Sequence, residues 1–167
     1  MALGQGLKNV EKSDSAESQG ESITPHNVFP KILNGEIPAS FVYRDEWVSA
    51  FMDVQPVTPG HVLVVPNVAA STLAELPPEY GGRMFEIAQT IAASIRQSNL
   101  KSEGINFFLA DGVAAGQTVF YLHLHVIPRF KGDGFGMQFP PDYHQRPERS
   151  ELDQNADMIR TGLQVNT

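Results

Sequence analysis

Apolar residues recur at two different periods along the chain. Between Pro78 and Leu100 the residues Tyr80, Met84, Ile87, Ala88, Ile91, Ala92 and Ile95 are spaced by three and four, which predicts one face of a long amphipathic helix. Upstream, FVYRD, WVSAFMDV and HVLVVP are short β-rich runs separated by charged or Pro/Gly turns such as PVTPG, and they predict an antiparallel meander. INFFLA predicts a further strand, DGVAAG a Gly-rich loop, and TVFYLHLHVIP a last strand ended by Pro128. Before the meander, HNVFPKILNGEIP predicts a short helix. Asn27 can cap it, Pro30 falls in the tolerated first turn, Asn34-Gly35 stop it, and Phe29 and Ile32 are available for packing. At the far end Ser150 and Asp153 form a candidate capping box, and Leu152, Ala156, Ile159 and Leu163 share one face of a terminal helix. Strand runs with one long helix between them predict an α+β fold on an antiparallel sheet.

Composition narrows this picture. The 167 residues allow one domain of ordinary size. Residues 1–24 have no apolar periodicity and are expected to be a disordered tail, with a single domain over 25–167 whose extension beyond about 131 is irregular. Twelve Lys and Arg against nineteen Asp and Glu leave a formal charge of -7, which argues against a broad nucleic-acid surface or an anionic-membrane surface. A small phosphate pocket remains compatible, because backbone N–H groups, hydroxyls and His can build one. Cys is absent, which removes disulfides, thiolate metal sites and a Cys nucleophile. No apolar run approaches the length of a membrane span. The expectation is a soluble cytoplasmic protein.

The chemistry concentrates in the last strand. Period two places Phe120, Leu122, Leu124 and Val126 on one face and Tyr121, His123 and His125 on the other. Alternate residues stand about 6.6 Å apart, so the two imidazoles could bracket a phosphate or a metal. The strand is preceded by Gly116-Gln117-Thr118, where Gly allows close backbone approach and the two side chains offer hydrogen-bond donors.

The segment DGVAAGQTVFYLHLHVIPR resembles the signature of the histidine triad (HIT) family of nucleotide hydrolases and transferases, whose motif is His-φ-His-φ-His-φ-φ with φ apolar. NVFPKILNGEIPASFVYRDEWVSAFMDVQPVTPGHVLVVP is similar to the family's N-terminal half. The resemblance implies a half-barrel of antiparallel strands with one long helix, a short N-terminal helix and a C-terminal helix, paired into a homodimer and binding a purine nucleotide or nucleotide conjugate. It further implies a phosphoramidate or dinucleoside polyphosphate hydrolase that attacks the α-phosphorus through a covalent nucleotidyl-His. By position His123 is then the nucleophile, oriented by the Tyr121 carbonyl. His125 lies on the leaving-group side, Gln117, Thr118 and Gly116 on the phosphate side, and His61 is a further site His. Asp53 matches the residue that receives the ribose hydroxyls, although it also reads as a turn residue before Pro56. Phe29, Ile32, Phe51 and Val54 match an apolar slot for the base, and each taken singly also reads as core.

Three positions depart from the family pattern. Tyr121 replaces the first triad His, which keeps the backbone carbonyl but exchanges an imidazole for a phenol. Ala110 stands where members often place an amide. Asn27 and Pro30 occupy the positions of a Cys-x-x-Cys half-site, so no structural zinc and no cofactor are expected. A metal-dependent cupin is disfavoured because no carboxylate lies in Val126 through Phe130. The main rival is a catalytically weak or inactive nucleotide-binding protein of the same fold, with Tyr121 as the cause.

Overall fold

The computed structural model describes Thr24 and residues 27–165; the rest of the expected tail, residues 1–23, lies outside them. The chain divides into two compact units, Met1–Lys131 and Gly132–Thr167. In the first, α1 (Val28–Leu33) precedes the strands β1 (Phe41–Arg44), β2 (Val48–Met52) and β3 (Val62–Pro66). The helix α2 (Pro78–Gln97) and the strands β4 (Gly104–Leu109) and β5 (Leu124–Arg129) follow. A single 3-10 turn, Val113–Ala115, lies between the last two strands. All pairings are antiparallel and the sheet order is β1-β2-β3-β5-β4, open rather than closed into a barrel. This is the α+β half-barrel that the sequence pattern and the resemblance led us to expect.

Strand parity sorts the sheet's two faces. Val48, Ala50, Val62, Val64, Leu124 and Val126 pack with Met84, Ile87, Ala88, Ile91, Ala92 and Ile95 of α2 in one cluster. The intervening residues Phe51, Leu63 and Val65 pack on the opposite face with Phe29 and Ile32 of α1 and with Tyr121. At the β1–β2 turn Asp45 Oδ1 accepts the Trp47 and Val48 N–H groups, while Oδ2 receives the Arg83 guanidinium of α2, so one carboxylate closes the hairpin and ties it to the helix.

Three local expectations change in this unit. The last strand was expected from Thr118, but its ladder begins at Leu124. Upstream of that point Leu122 N–H bonds to Ala70 O and the Ser71 hydroxyl to Phe120 O, so these residues are satisfied by the segment after β3 instead of by a sheet neighbour. The strand also continues through Pro128 to Arg129. Its β3 partnership stops at Val126↔Val62, and β4 alone flanks the remainder, so the missing proline N–H has no second ladder to interrupt. Finally, the Asn27 side chain makes no cap bond; its Oδ1 accepts Thr24 N–H at 2.7 Å.

In the second unit α3 spans Arg149–Val165. It starts one residue before Ser150, which places that hydroxyl inside the helix and not at its cap, and Asp153 pairs with Arg149 at 3.2 Å. Leu152, Ile159 and Leu163 are exposed on it. No helix among the described residues is long and apolar enough to cross a membrane.

Candidate functional site

The site lies on the α1 face of the sheet, where parity brings together residues from three strands. β3 and β5 pair Leu63 with His125, and β5 and β4 pair His125 with Phe108. The β2–β3 ladder continues one step past its strands, with Asp53 N–H donating to His61 O at 3.0 Å. Asp53, His61 and His125 therefore share one face, and ligating atoms of the three lie within 4.8 Å of one another. His61 is 2% exposed and His123 8%.

The hydrogen bonds of the imidazoles are specific. His123 Nδ1 lies 2.7 Å from Tyr121 O, and His61 Nε2 lies 2.9 Å from His125 Nδ1. His61 Nδ1 accepts Val57 N–H at 3.2 Å and stands 3.5 Å from Asp53 Oδ2. The rings of His123 and His125 meet edge to face with centroids 4.7 Å apart, and the Phe29 ring meets His123 edge-on at 5.2 Å. Burial pushes the His125 imidazole down to about 4; His123 and His61 push the same way and Asp53 opposes them. Burial also lowers His61 and His123, more than Asp53 and, for His123, the Tyr121 carbonyl raise them. All three rings are consequently neutral near pH 7.

Neutral imidazoles and a carboxylate form a donor set for a divalent metal. However, His61 meets Asp53 through Nδ1 and His125 through Nε2, on opposite sides of one ring. Each His61 nitrogen therefore faces a different one of the two partners.

Other candidate residues fall into distinct places. Gln117 is buried, its amide donating to Ser71 O at 2.7 Å and its Oε1 accepting Gly112 N–H at 2.9 Å, so it staples the loop that carries Gly116 and leaves one amide proton over. Thr118 is exposed, and Gly116 adopts a left-handed φ of 85°. Asp53 Oδ1 accepts Gln55 N–H at 2.8 Å, an Asx turn. Phe29, Ile32 and Phe51 are packed into the core, whereas Val54 is 93% exposed and borders an open pocket with Pro38, Ala39, Ser40, Met52 and Asp53. The sequence reading missed the Val57 N–H and Thr58, whose buried hydroxyl donates to Pro128 O. The only pointer to them was the Pro-rich turn before His61.

Tyr121 corrects the functional expectation. Its side chain is 3% exposed, and its hydroxyl donates toward Pro66 O at 2.7 Å and Val68 O at 3.0 Å. Burial pushes the phenol up to about 12. The group standing in for the first imidazole is thus turned away from its neighbours and held uncharged. The side chains that converge are His61, His125 and Asp53, a degraded triad. This arrangement overturns the reading of the chain as a fully active hydrolase working through a covalent nucleotidyl-His.

Comparisons with known proteins agree with this fold. The HIT domain family model matches residues 34–132. An HIT-like protein of Borreliella burgdorferi is 41% identical over 112 residues, covering 66% of this chain and 81% of its own. The purine nucleoside phosphoramidase of Escherichia coli is 33% identical over 103 residues, covering 60% of this chain and 84% of its own. Among solved structures, an HIT family protein from Bacillus anthracis superposes with a TM-score of 0.74 at 37% identity, covering 81% of this chain and 95% of that one. The chain belongs to the HIT family. Its fold is that of a superfamily that includes enzymes, and its own triad is incomplete.

Proposed function

We propose that this protein binds a purine nucleotide or nucleotide conjugate on the α1 face of its sheet and turns it over weakly or not at all. One observation carries the reading: His61, His125 and Asp53 remain gathered, while the phenol of Tyr121 is tied to the backbone after β3. Family membership and the activity named for the E. coli relative support a nucleotide as the ligand.

In this reading Asp53 takes the ribose hydroxyls, a carboxylate being well suited to a cis-diol, beside the pocket bordered by Val54. Phe29, Ile32 and Phe51 back the base. His123 and His125 face the phosphate, and His61 acts through His125. Gly116, Gln117 and Thr118 form the phosphate-side loop, with Gln117 contributing chiefly by holding its shape. A homodimer is part of the proposal: β4 is an edge strand with Phe107 and Phe108 exposed, and two-fold pairs are the commonest assembly. Residence in the cytoplasm is part of it too, in keeping with the absence of Cys.

Calorimetry with AMP and GMP, run beside a turnover panel of an adenosine phosphoramidate, a dinucleoside tri- and tetraphosphate and an adenylated amine, tests this reading. We expect binding, with turnover at least about 10²-fold below that of the E. coli relative measured alongside, the size of effect an acid–base group commonly supplies. Turnover equal to that relative's, or no binding of either nucleotide, would overturn it. Sedimentation should report about twice 18.3 kDa.

A further inference from the structure

We propose that the site takes up a phosphate monoester together with one proton, shared between a phosphate oxygen and His123 Nε2; this rests on the nucleotide-binding reading above. Backbone groups that can only donate or only accept fix the tautomers. Tyr121 O is a carbonyl, so His123 Nδ1, 2.7 Å away, carries the ring proton and Nε2 is left as a lone pair. Val57 N–H can only donate, so His61 Nδ1 is an acceptor and the His61 proton sits on Nε2. That N–H donates across 2.9 Å to His125 Nδ1, which leaves the proton of His125 on its own Nε2. The two neighbouring rings, with centroids 4.7 Å apart, thus offer one acceptor and one donor.

A phosphate dianion carries acceptors only. It satisfies His125 Nε2–H but sets an oxygen against the lone pair of His123, and burial makes such an unmatched pair costly. A monoanion presents P–O⁻ to His125 and P–OH to His123, and both are met. A dianion with a proton taken up at His123 is the same complex with that proton on the other atom, so one phosphate and one proton enter together in either description. The titratable groups around the pair are His61 from the start of β3 and Asp53 from the end of β2. α1 contributes the Phe29 ring and β4 the Phe108 ring, centred 5.8 Å from that of His125. Neither aromatic wall brings charge, and the Asp53 carboxylate disfavours a second negative charge on the ligand.

The second pKa of a phosphate monoester is about 6, so affinity should fall about tenfold per pH unit above it. Calorimetry of the full chain with AMP at pH 5.5 and pH 8.0, in buffers of different ionisation heat, reads both affinity and proton uptake. We expect binding at least about thirtyfold weaker at pH 8.0, accompanied by uptake of about one proton there and little at pH 5.5. Ring ¹⁵N spectra should show His123 with Nδ1–H, and His61 and His125 with Nε2–H. AMP binding at pH 8.0 without proton uptake would overturn this inference and leave the nucleotide reading standing. An Nε2–H tautomer at His123 would also overturn it, and no AMP binding at either pH would remove both readings.

Discussion

His61 and His125, sixty-four positions apart in sequence, meet through their ring nitrogens at 2.9 Å on the α1 face of the sheet. Each imidazole is a partner for the other only while both are uncharged or share a single proton. Their contact therefore makes the fold sensitive to acid.

The unfolded chain protonates its histidines near pH 6.5, whereas His125 in the folded protein does so at about 4 and His61 and His123 are also lowered. Between these values the unfolded state binds more protons, so stability is fully present above about pH 6.5 and is lost as pH falls toward 4. Urea unfolding at pH 7.0 and 4.5 should show a loss of roughly 2–3 kcal/mol attributable to His125. In His125→Gln that part of the pH dependence should disappear; an unchanged profile would contradict the assignment.

Tyr121→Phe removes a buried hydroxyl that serves Pro66 O and Val68 O. The expected cost is about 1–3 kcal/mol in urea midpoint experiments, the price of leaving buried carbonyls without their donor. Because the phenol points away from the imidazole row, AMP affinity should stay within about threefold, less than 1 kcal/mol. A large loss of affinity with intact stability would show that the phenol reaches the ligand.

Gly60 has φ of +89°, and a Cβ there would lie 2.6 Å from Leu100 Cδ1 and 3.1 Å from Pro128 Cγ. Gly60→Ala should cost at least about 2 kcal/mol through backbone strain and overlap. It should also weaken AMP binding, since the next residue is His61. A variant as stable as the parent by thermal melting would refute the close approach.

Gln117→Ala leaves Gly112 N–H and Ser71 O without the amide that joins them. The loop should become mobile, seen as faster amide exchange at 112–117, and phosphate-bearing ligands should lose more affinity than adenosine. Equal losses for AMP and adenosine would separate this loop from the phosphate end.

Much of this was legible in the sequence, because parity and periodicity are local properties. The three-and-four spacing from Met84 to Ile95 can bury only one helix face, and the six apolar residues at that spacing are buried against the sheet while Phe85, off that face, is exposed. Alternation through Tyr121, His123 and His125 predicted a shared side, short strands with Pro/Gly turns predicted an antiparallel meander, and the half-barrel was implied by the family resemblance. Tertiary structure alone decided where side chains with two possible destinations would go. The phenol of Tyr121 could have faced the imidazoles or the backbone after β3, and two carbonyls there settled it. The Gln117 amide could have faced a ligand, but Ser71 and Gly112 claim it. Val54 is apolar and still 93% exposed, because β2 has ended and the Asx turn of Asp53 carries it outward. Likewise the last strand is shorter than its alternation because Ala70 and Ser71 satisfy Phe120 and Leu122 first. For Tyr121, Gln117 and the start of the last strand the deciding partner lies tens of residues away, and spacing within a segment carries no information about which distant donor or acceptor arrives.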